Sequence, residues 1–200
     1  MPHAHPLFEI TADWRLAFWL SYGAWFLVEM AIFSRDRRKV SGERRDRGSL
    51  FVIVGLMVVG IYAAFAFVYW SGAPAIGLPA NLTLGAGIVL IWAGIAFRLW
   101  AVVTLGRFFR FTVVVQDDHR LITSGPYRLL RNPSYTGGLI TVIGVGLMLG
   151  NWASLACIAG GLLIGYAVRI RVEEQALAAH FGQAFADYRQ RSWALIPFVW

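Results

Sequence analysis

One cysteine, Cys157, stands in 200 residues, and it lies inside an apolar run, so no disulfide or cysteine-based metal site forms within one chain. Acidic residues are scarce: 11 Asp and Glu stand against 18 Lys and Arg, and only 14% of residues are charged. Several function classes have no footing. There is no Gly-rich phosphate loop, no Ser/His/Asp order suited to nucleophilic catalysis, and no nucleic-acid motif. Internal repeats, low-complexity linkers and a second domain are also lacking, so residues 1–200 are expected to form a single membrane domain. No Lys or Arg precedes Arg15 and the first apolar run is too long for a signal-peptide core, so no cleavable leader is expected. His3 and His5 have a spacing that suits a metal, but a frayed terminus is the expectation there and no metal site is assigned.

What the chain has is apolar surface: 58% of residues are hydrophobic and nine are Trp, the composition of an integral membrane protein. The pattern predicts an all-α protein with about five transmembrane helices, over residues 14–33, 49–70, 82–105, 133–149 and 153–166. Its basic residues sit in the connectors rather than on one face, so membrane topology explains the positive balance better than nucleic acid does. Residues 35–47 hold seven basic and three acidic side chains, whereas residues 71–80 hold no charge. By the positive-inside rule the first connector is cytosolic, the N-terminus outside, and residues 107–132 and the C-terminus cytosolic. Within the spans, Arg98 is expected to face protein, reach the surface, or pair with an acid such as Glu29. Small residues recur four apart at Gly146 and Gly150 and at Cys157, Gly161 and Gly165. That spacing predicts close backbone approach between the fourth and fifth helices, joined as a hairpin at residues 150–152.

The densest run of special residues is 125–138, basic, aromatic and rich in turn formers. Gly125-Pro126 signals a turn. Asn132-Pro133 signals a helix start, Asn as a cap for free N–H groups and Pro as a first residue that needs no N–H partner. That helix start, flanked by Arg128 and Arg131, suits an anionic group, or else anchors the helix at a lipid surface. After residue 169 the chain turns polar and is expected to form a C-terminal cytosolic amphipathic helix, with Leu177, Phe181, Phe185 and Tyr188 on one stripe. At about 100° per residue, Glu173 and Glu174 border or interrupt that stripe and need partners. Arg169 and Arg171, one turn back, are one choice; a bound cation is another. Residues 195–200 read as a surface-seeking apolar tail.

These segments resemble one family in order and spacing. The run from His119 to Arg128, then Arg131-Asn132-Pro133-Ser134-Tyr135-Thr136-Gly137, the Glu173-Glu174 pair, Phe181-Gly182, Tyr188 and Ile196-Pro197 are similar to the isoprenylcysteine carboxyl methyltransferases and the related phospholipid N-methyltransferases. The likeness covers about residues 98–198, leaving residues 1–97 as N-terminal helices. It implies an S-adenosyl-L-methionine pocket at the cytosolic face and a lipophilic substrate arriving from the bilayer, with no nucleic-acid partner. By that likeness, His119, Leu121, Tyr127, Asn132, Pro133, Tyr135, Glu173 and Glu174 are the candidate cofactor-binding residues. Arg131, Arg169 and Arg189 are the candidates for orienting an acidic substrate. The family's His stands here as Asn132, which can hydrogen-bond but cannot titrate near neutral pH.

The expected reaction is methyl transfer to the carboxylate of an isoprenylcysteine-like substrate, which needs no strong base because that nucleophile is already ionised. A phospholipid amine is the alternative acceptor. Two further readings stay open: a sterol-reductase-like enzyme using NADPH, against which two carboxylates argue, and a non-enzymatic membrane protein.

Overall fold

The computed structural model describes residues 11–36, 43–44, 48–70, 72–109, 114–115 and 120–200. The protein is an all-α integral membrane protein. Its helices are α1 (Ala12–Asp36), α2 (Ser49–Tyr69), α3 (Ala80–Leu105), α4 (Pro133–Met148), α5 (Trp152–Phe181) and α6 (Gln183–Gln190). Helices α1, α2, α3 and α5 are long and apolar enough to cross a bilayer, and α4 is a shorter apolar helix. At about 1.5 Å per residue, the 16 residues of α4 fall short of the hydrocarbon thickness.

The fifth span runs further than its pattern predicts. Nothing that breaks a helix stands between Tyr166 and Phe181, so the apolar half and the polar half form one 30-residue helix. The break comes at Gly182, whose φ of 53° favours glycine, and α6 completes the amphipathic segment.

Two interfaces of small residues set the packing, because hydrocarbon offers helices no hydrophobic drive to associate and close contact must replace it. Helix α3 crosses α4 where a Cβ on Gly94 would stand 2.6 Å from the Gly137 carbonyl, and one on Gly144 would stand 2.6 Å from that of Gly87. Helix α2 meets α5 where a Cβ on Gly161 would stand 2.9 Å from the Leu56 carbonyl, and one on Gly60 2.9 Å from that of Cys157. This corrects the expected partnership. Gly146 does face Leu155 and Ile158 of α5, but the Cys157, Gly161 and Gly165 stripe meets α2. Helix α1 docks differently, through aromatic rings: Trp19 stacks on Phe65 of α2, and Phe18 and Trp25 are buried.

Connectors pair at both ends. The α2–α3 and α4–α5 connectors are joined by Ile76 N–H to the Gly150 carbonyl at 3.0 Å and Trp152 N–H to the Pro74 carbonyl at 2.9 Å. Asn151 caps α5 by accepting from Ser154 N–H at 2.7 Å. At the opposite end, β1 (Glu43–Arg44) pairs antiparallel with β2 (Val114–Val115), with Glu43 opposite Val115. The α1–α2 and α3–α4 connectors therefore share that end. His3, His5 and His119 lie outside the described residues.

Candidate functional site

A 3-10 turn, Gly125–Arg128, leads the chain into α4, with Gly125 at a φ of 57°. The helix starts at Pro133 as the sequence predicts, but Asn132 does not cap it with its side chain. Its amide donates instead to the Ala194 carbonyl at 2.9 Å, a carbonyl that also accepts Asn132 N–H at 3.1 Å. The first turn closes on the Asn132 carbonyl, which receives Tyr135 N–H at 3.0 Å and Thr136 N–H at 3.2 Å.

The reason lies in a segment whose role the sequence does not announce. Residues 192–195 run beside residues 129–132: Leu130 bridges Trp193 in parallel, Trp193 N–H donates to the Leu129 carbonyl at 2.9 Å, and Arg131 N–H donates to the Trp193 carbonyl at 2.7 Å. Thr136 Oγ1 adds a bond to the Leu195 carbonyl at 2.6 Å. The tail beyond Leu195 curls so that Leu195 and Ile196 N–H groups both reach the Trp200 main-chain oxygen at 2.9 Å. Leu195 is buried, while Phe198 and Val199 remain exposed as a surface-seeking tail requires.

Against this wall α5 brings its two consecutive carboxylates. Glu174 Oε1 accepts from Arg131 Nε at 2.8 Å, and its Oε2 lies 3.7 Å from Arg189 Nε. Arg131 Nη1 also donates to the Arg189 carbonyl at 3.2 Å and to the Ser192 carbonyl. Glu173 Oε1 accepts from Tyr135 Oη at 2.7 Å and from Arg169 Nε at 2.7 Å. Arg169, 1% exposed, spends Nη1 on Ser49 Oγ at 2.8 Å, which ties α5 to the first turn of α2. Of the arginines one turn back, Arg169 thus takes Glu173, whereas Arg171 is exposed and Glu174 turns to Arg131.

Ten of the eleven candidates have a described place at this end of the bundle, and the eleventh, His119, lies outside the described residues. Arg131, Asn132, Tyr135, Arg169, Glu173, Glu174 and Arg189 form the connected network, and Pro133 is buried at the first position of α4. Tyr127 is buried in the 3-10 turn, where its carbonyl accepts from Tyr188 Oη at 2.6 Å and burial raises its own hydroxyl well above the usual value. Leu121 is half-buried in the irregular segment before that turn. The sequence reading missed Ser192, Ala194, Tyr188 and Ser49 as supports; only Tyr188 left a signal, its place on the apolar stripe.

The free valences define what the site can hold. Among the described residues, Glu173 Oε2 and Asn132 Oδ1 accept no hydrogen bond, and Arg131 Nη2 donates none. Glu173 is 21% and Glu174 15% exposed, so both carboxylates reach the solvent edge while their charges are fixed by arginine. Spare anionic acceptors beside a spare guanidinium edge fit a zwitterion carrying ammonium and hydroxyl groups. A polyphosphate would meet two carboxylates. No group of three or more His, Cys, Asp or Glu suited to a metal occurs among the described residues.

Comparison with known proteins points the same way. The phospholipid methyltransferase family pattern matches residues 82–184. A probable protein-S-isoprenylcysteine O-methyltransferase of Oryza sativa subsp. indica is 37% identical over 115 residues, 56% of this chain and 60% of that protein. Protein-S-isoprenylcysteine O-methyltransferase B of Arabidopsis thaliana is 36% identical over 115 residues, 56% of this chain and 58% of that protein. The chain thus spans about three-fifths of the length of these curated relatives. Among solved structures, the eukaryotic intramembrane Ras methyltransferase, an isoprenylcysteine carboxyl methyltransferase, superposes with a TM-score of 0.56 at 26% identity. That match covers 98% of this chain and 69% of the other.

Proposed function

This chain belongs to the phospholipid methyltransferase family, and from that premise we propose that it transfers a methyl group from S-adenosyl-L-methionine to the carboxylate of an isoprenylcysteine-like lipophilic substrate. One observation carries the reading: Glu173 and Glu174 are each bonded to a residue at the α4 start, Tyr135 and Arg131, with acceptor capacity left over. The isoprenylcysteine substrates named for the rice and Arabidopsis proteins support the acceptor.

S-adenosyl-L-methionine supplies an electrophilic methyl on a sulfonium. The chain's own work is to bind, align and exclude water. Glu173 Oε2 and Glu174 take the cofactor's ammonium or ribose hydroxyls; Asn132 Oδ1 accepts a further N–H or O–H. The α4 N-terminus and the spare Arg131 edge face its carboxylate. Tyr127, Tyr135 and Leu121 wall the pocket, and Pro133 fixes the backbone between them; His119, a further candidate by resemblance, lies outside the described residues. Arg189, 56% exposed, is the arginine free to meet the substrate carboxylate, while Arg131 and Arg169 orient the site by holding Glu174 and Glu173. A carboxylate needs no base at neutral pH. Alignment therefore dominates, and holding two reactants in line supplies up to about 7–11 kcal/mol of a barrier.

The arginine-rich connectors share the site's end and the opposite 72–79 connector carries no charge, so the site faces the cytosol and the N-terminus lies outside. A cysteine-directed, membrane-impermeant label on a Ser41→Cys variant should react only from the cytosolic side; labelling from outside reverses the orientation. Ser41 itself lies outside the described residues.

Calorimetric titration of detergent-purified protein with S-adenosylhomocysteine, with NADPH in parallel, tests the cofactor. Saturable binding of the first alone is expected; NADPH alone would move the protein to a reductase, and neither would remove the enzymatic reading. Labelled methyl transfer to farnesylcysteine rather than phosphatidylethanolamine then tests the acceptor.

A further inference from the structure

Helix α1 lies wholly outside residues 82–184, yet it sends one charge toward the site. Arg98 of α3 is 6% exposed and ion-paired with Glu29 of α1: Nη2 donates to Oε2 at 2.8 Å, and Nε stands 2.6 Å from Oε1 without hydrogen-bond geometry. The remaining arm, Nη1, donates at 2.9 Å to both the Ser134 carbonyl and the Ser134 hydroxyl. Arg98 sits at the α3–α4 crossing, where a Cβ on Gly137 would stand 2.7 Å from its backbone nitrogen, so its side chain has little room to move.

Ser134 is flanked by Pro133 and by Tyr135, whose ring packs on Tyr166 at a centroid distance of 4.5 Å and whose hydroxyl reaches Glu173. The ion pair with Glu29 therefore orients the guanidinium, Nη1 of the guanidinium holds Ser134, and the turn that carries Ser134 presents Tyr135 to Glu173. An apolar contact would hold α1 in place without desolvating two charges, and α1 already has such contacts through Phe18, Trp19 and Trp25. What an ion pair adds to a hydrophobic contact is direction.

We propose that Glu29 and Arg98 are positioning residues that lock the first turn of α4 into its cofactor-binding geometry, which makes α1 a working part of the site. The inference rests on the methyltransferase reading for its ligand, but not for its structural half. Replacing both residues, Glu29→Leu with Arg98→Leu, removes the charges together and keeps apolar bulk.

The double variant should melt no lower than wild type, bind S-adenosylhomocysteine at least tenfold more weakly, and exchange the amide hydrogens of residues 133–138 faster without ligand. A folded double variant with wild-type affinity and wild-type exchange would reduce the pair to a membrane anchor and overturn the proposal. Should that variant not fold, Glu29→Gln decides, since its amide still accepts from Nη2 while the charge is lost: at least threefold weaker binding supports the clamp, and unchanged binding overturns it. If wild type binds no S-adenosylhomocysteine, the methyltransferase reading fails by itself and amide exchange alone judges the clamp.

Discussion

At the uncharged end of the bundle, residues 72–79 and 150–152 are tied by main-chain hydrogen bonds, a buried Asn cap and a glycine turn, whereas the other end adds arginine–carboxylate pairs to a similar main-chain seam between 129–132 and 192–194. Both ends solve the same problem, since connectors between membrane helices must satisfy their polar backbone. Only the second end does more than closure asks. Arg131 and Arg169 hold two carboxylates side by side, each partly exposed, and Glu173 keeps an oxygen free. On the proposed reading, a charge fixed at that cost yet left with a free edge serves a ligand, while a cap that uses up its side chain serves stability.

The largest difference between the ends should come from the carboxylates. Glu174→Ala takes the carboxylate from Arg131, and Glu173→Ala takes it from Arg169 and the Tyr135 hydroxyl; breaking a buried pair this way costs up to about 3–5 kcal/mol, less at sites with some exposure. At least one of the two variants should lose S-adenosylhomocysteine binding in calorimetry. Wild-type affinity in both would make the charged end as purely structural as the other.

A smaller effect of the opposite kind is expected from Asn151→Ala. Losing the cap on α5 should cost about 1 kcal/mol, read as a lower melting temperature, with S-adenosylhomocysteine affinity unchanged. Weaker binding at equal foldedness would blur the division between the ends.

The smallest effect concerns Tyr188, which anchors α6 beneath the site by donating to the Tyr127 carbonyl. Burial is the main reason its hydroxyl is pushed up from 10.0 to about 12, against a downward pull from Arg131. Because the folded value lies above the unfolded one, the stability that Tyr188 contributes is complete below pH 10 and lost as pH rises through about 12. The melting-temperature gap between wild type and Tyr188→Phe should therefore hold steady below pH 10 and narrow above it. A gap that widens with pH would mean that the hydroxyl is not held as a donor.

Some of this was legible before any coordinates. Asn132-Pro133 marked the start of α4 because proline's missing N–H suits only that place, and Glu29 was a natural partner for Arg98 because a charge within a span must find its opposite. Other features were visible without being assignable. The Cys157, Gly161 and Gly165 stripe announces a close approach but not its partner, since every small-residue face accepts any other; the adjacent helix was the simpler guess and α2 is the answer. Asn132 looked like a cap because caps are local, but its Nδ2 donates to the Ala194 carbonyl, an orientation that leaves Oδ1 off the helix N–H groups. The seam between 129–132 and 192–194 left almost no trace, because main-chain hydrogen bonds do not depend on side-chain identity.

By itself the sequence determined which segments are apolar helices and the charge asymmetry of the connectors, since each follows from what a side chain loses on leaving water. Which carboxylate meets which arginine, which helix receives the glycine stripe and how the C-terminal segment closes the site were decided only by the tertiary structure. Those choices lie among chemically equivalent partners, and only the three-dimensional path of the backbone distinguishes them.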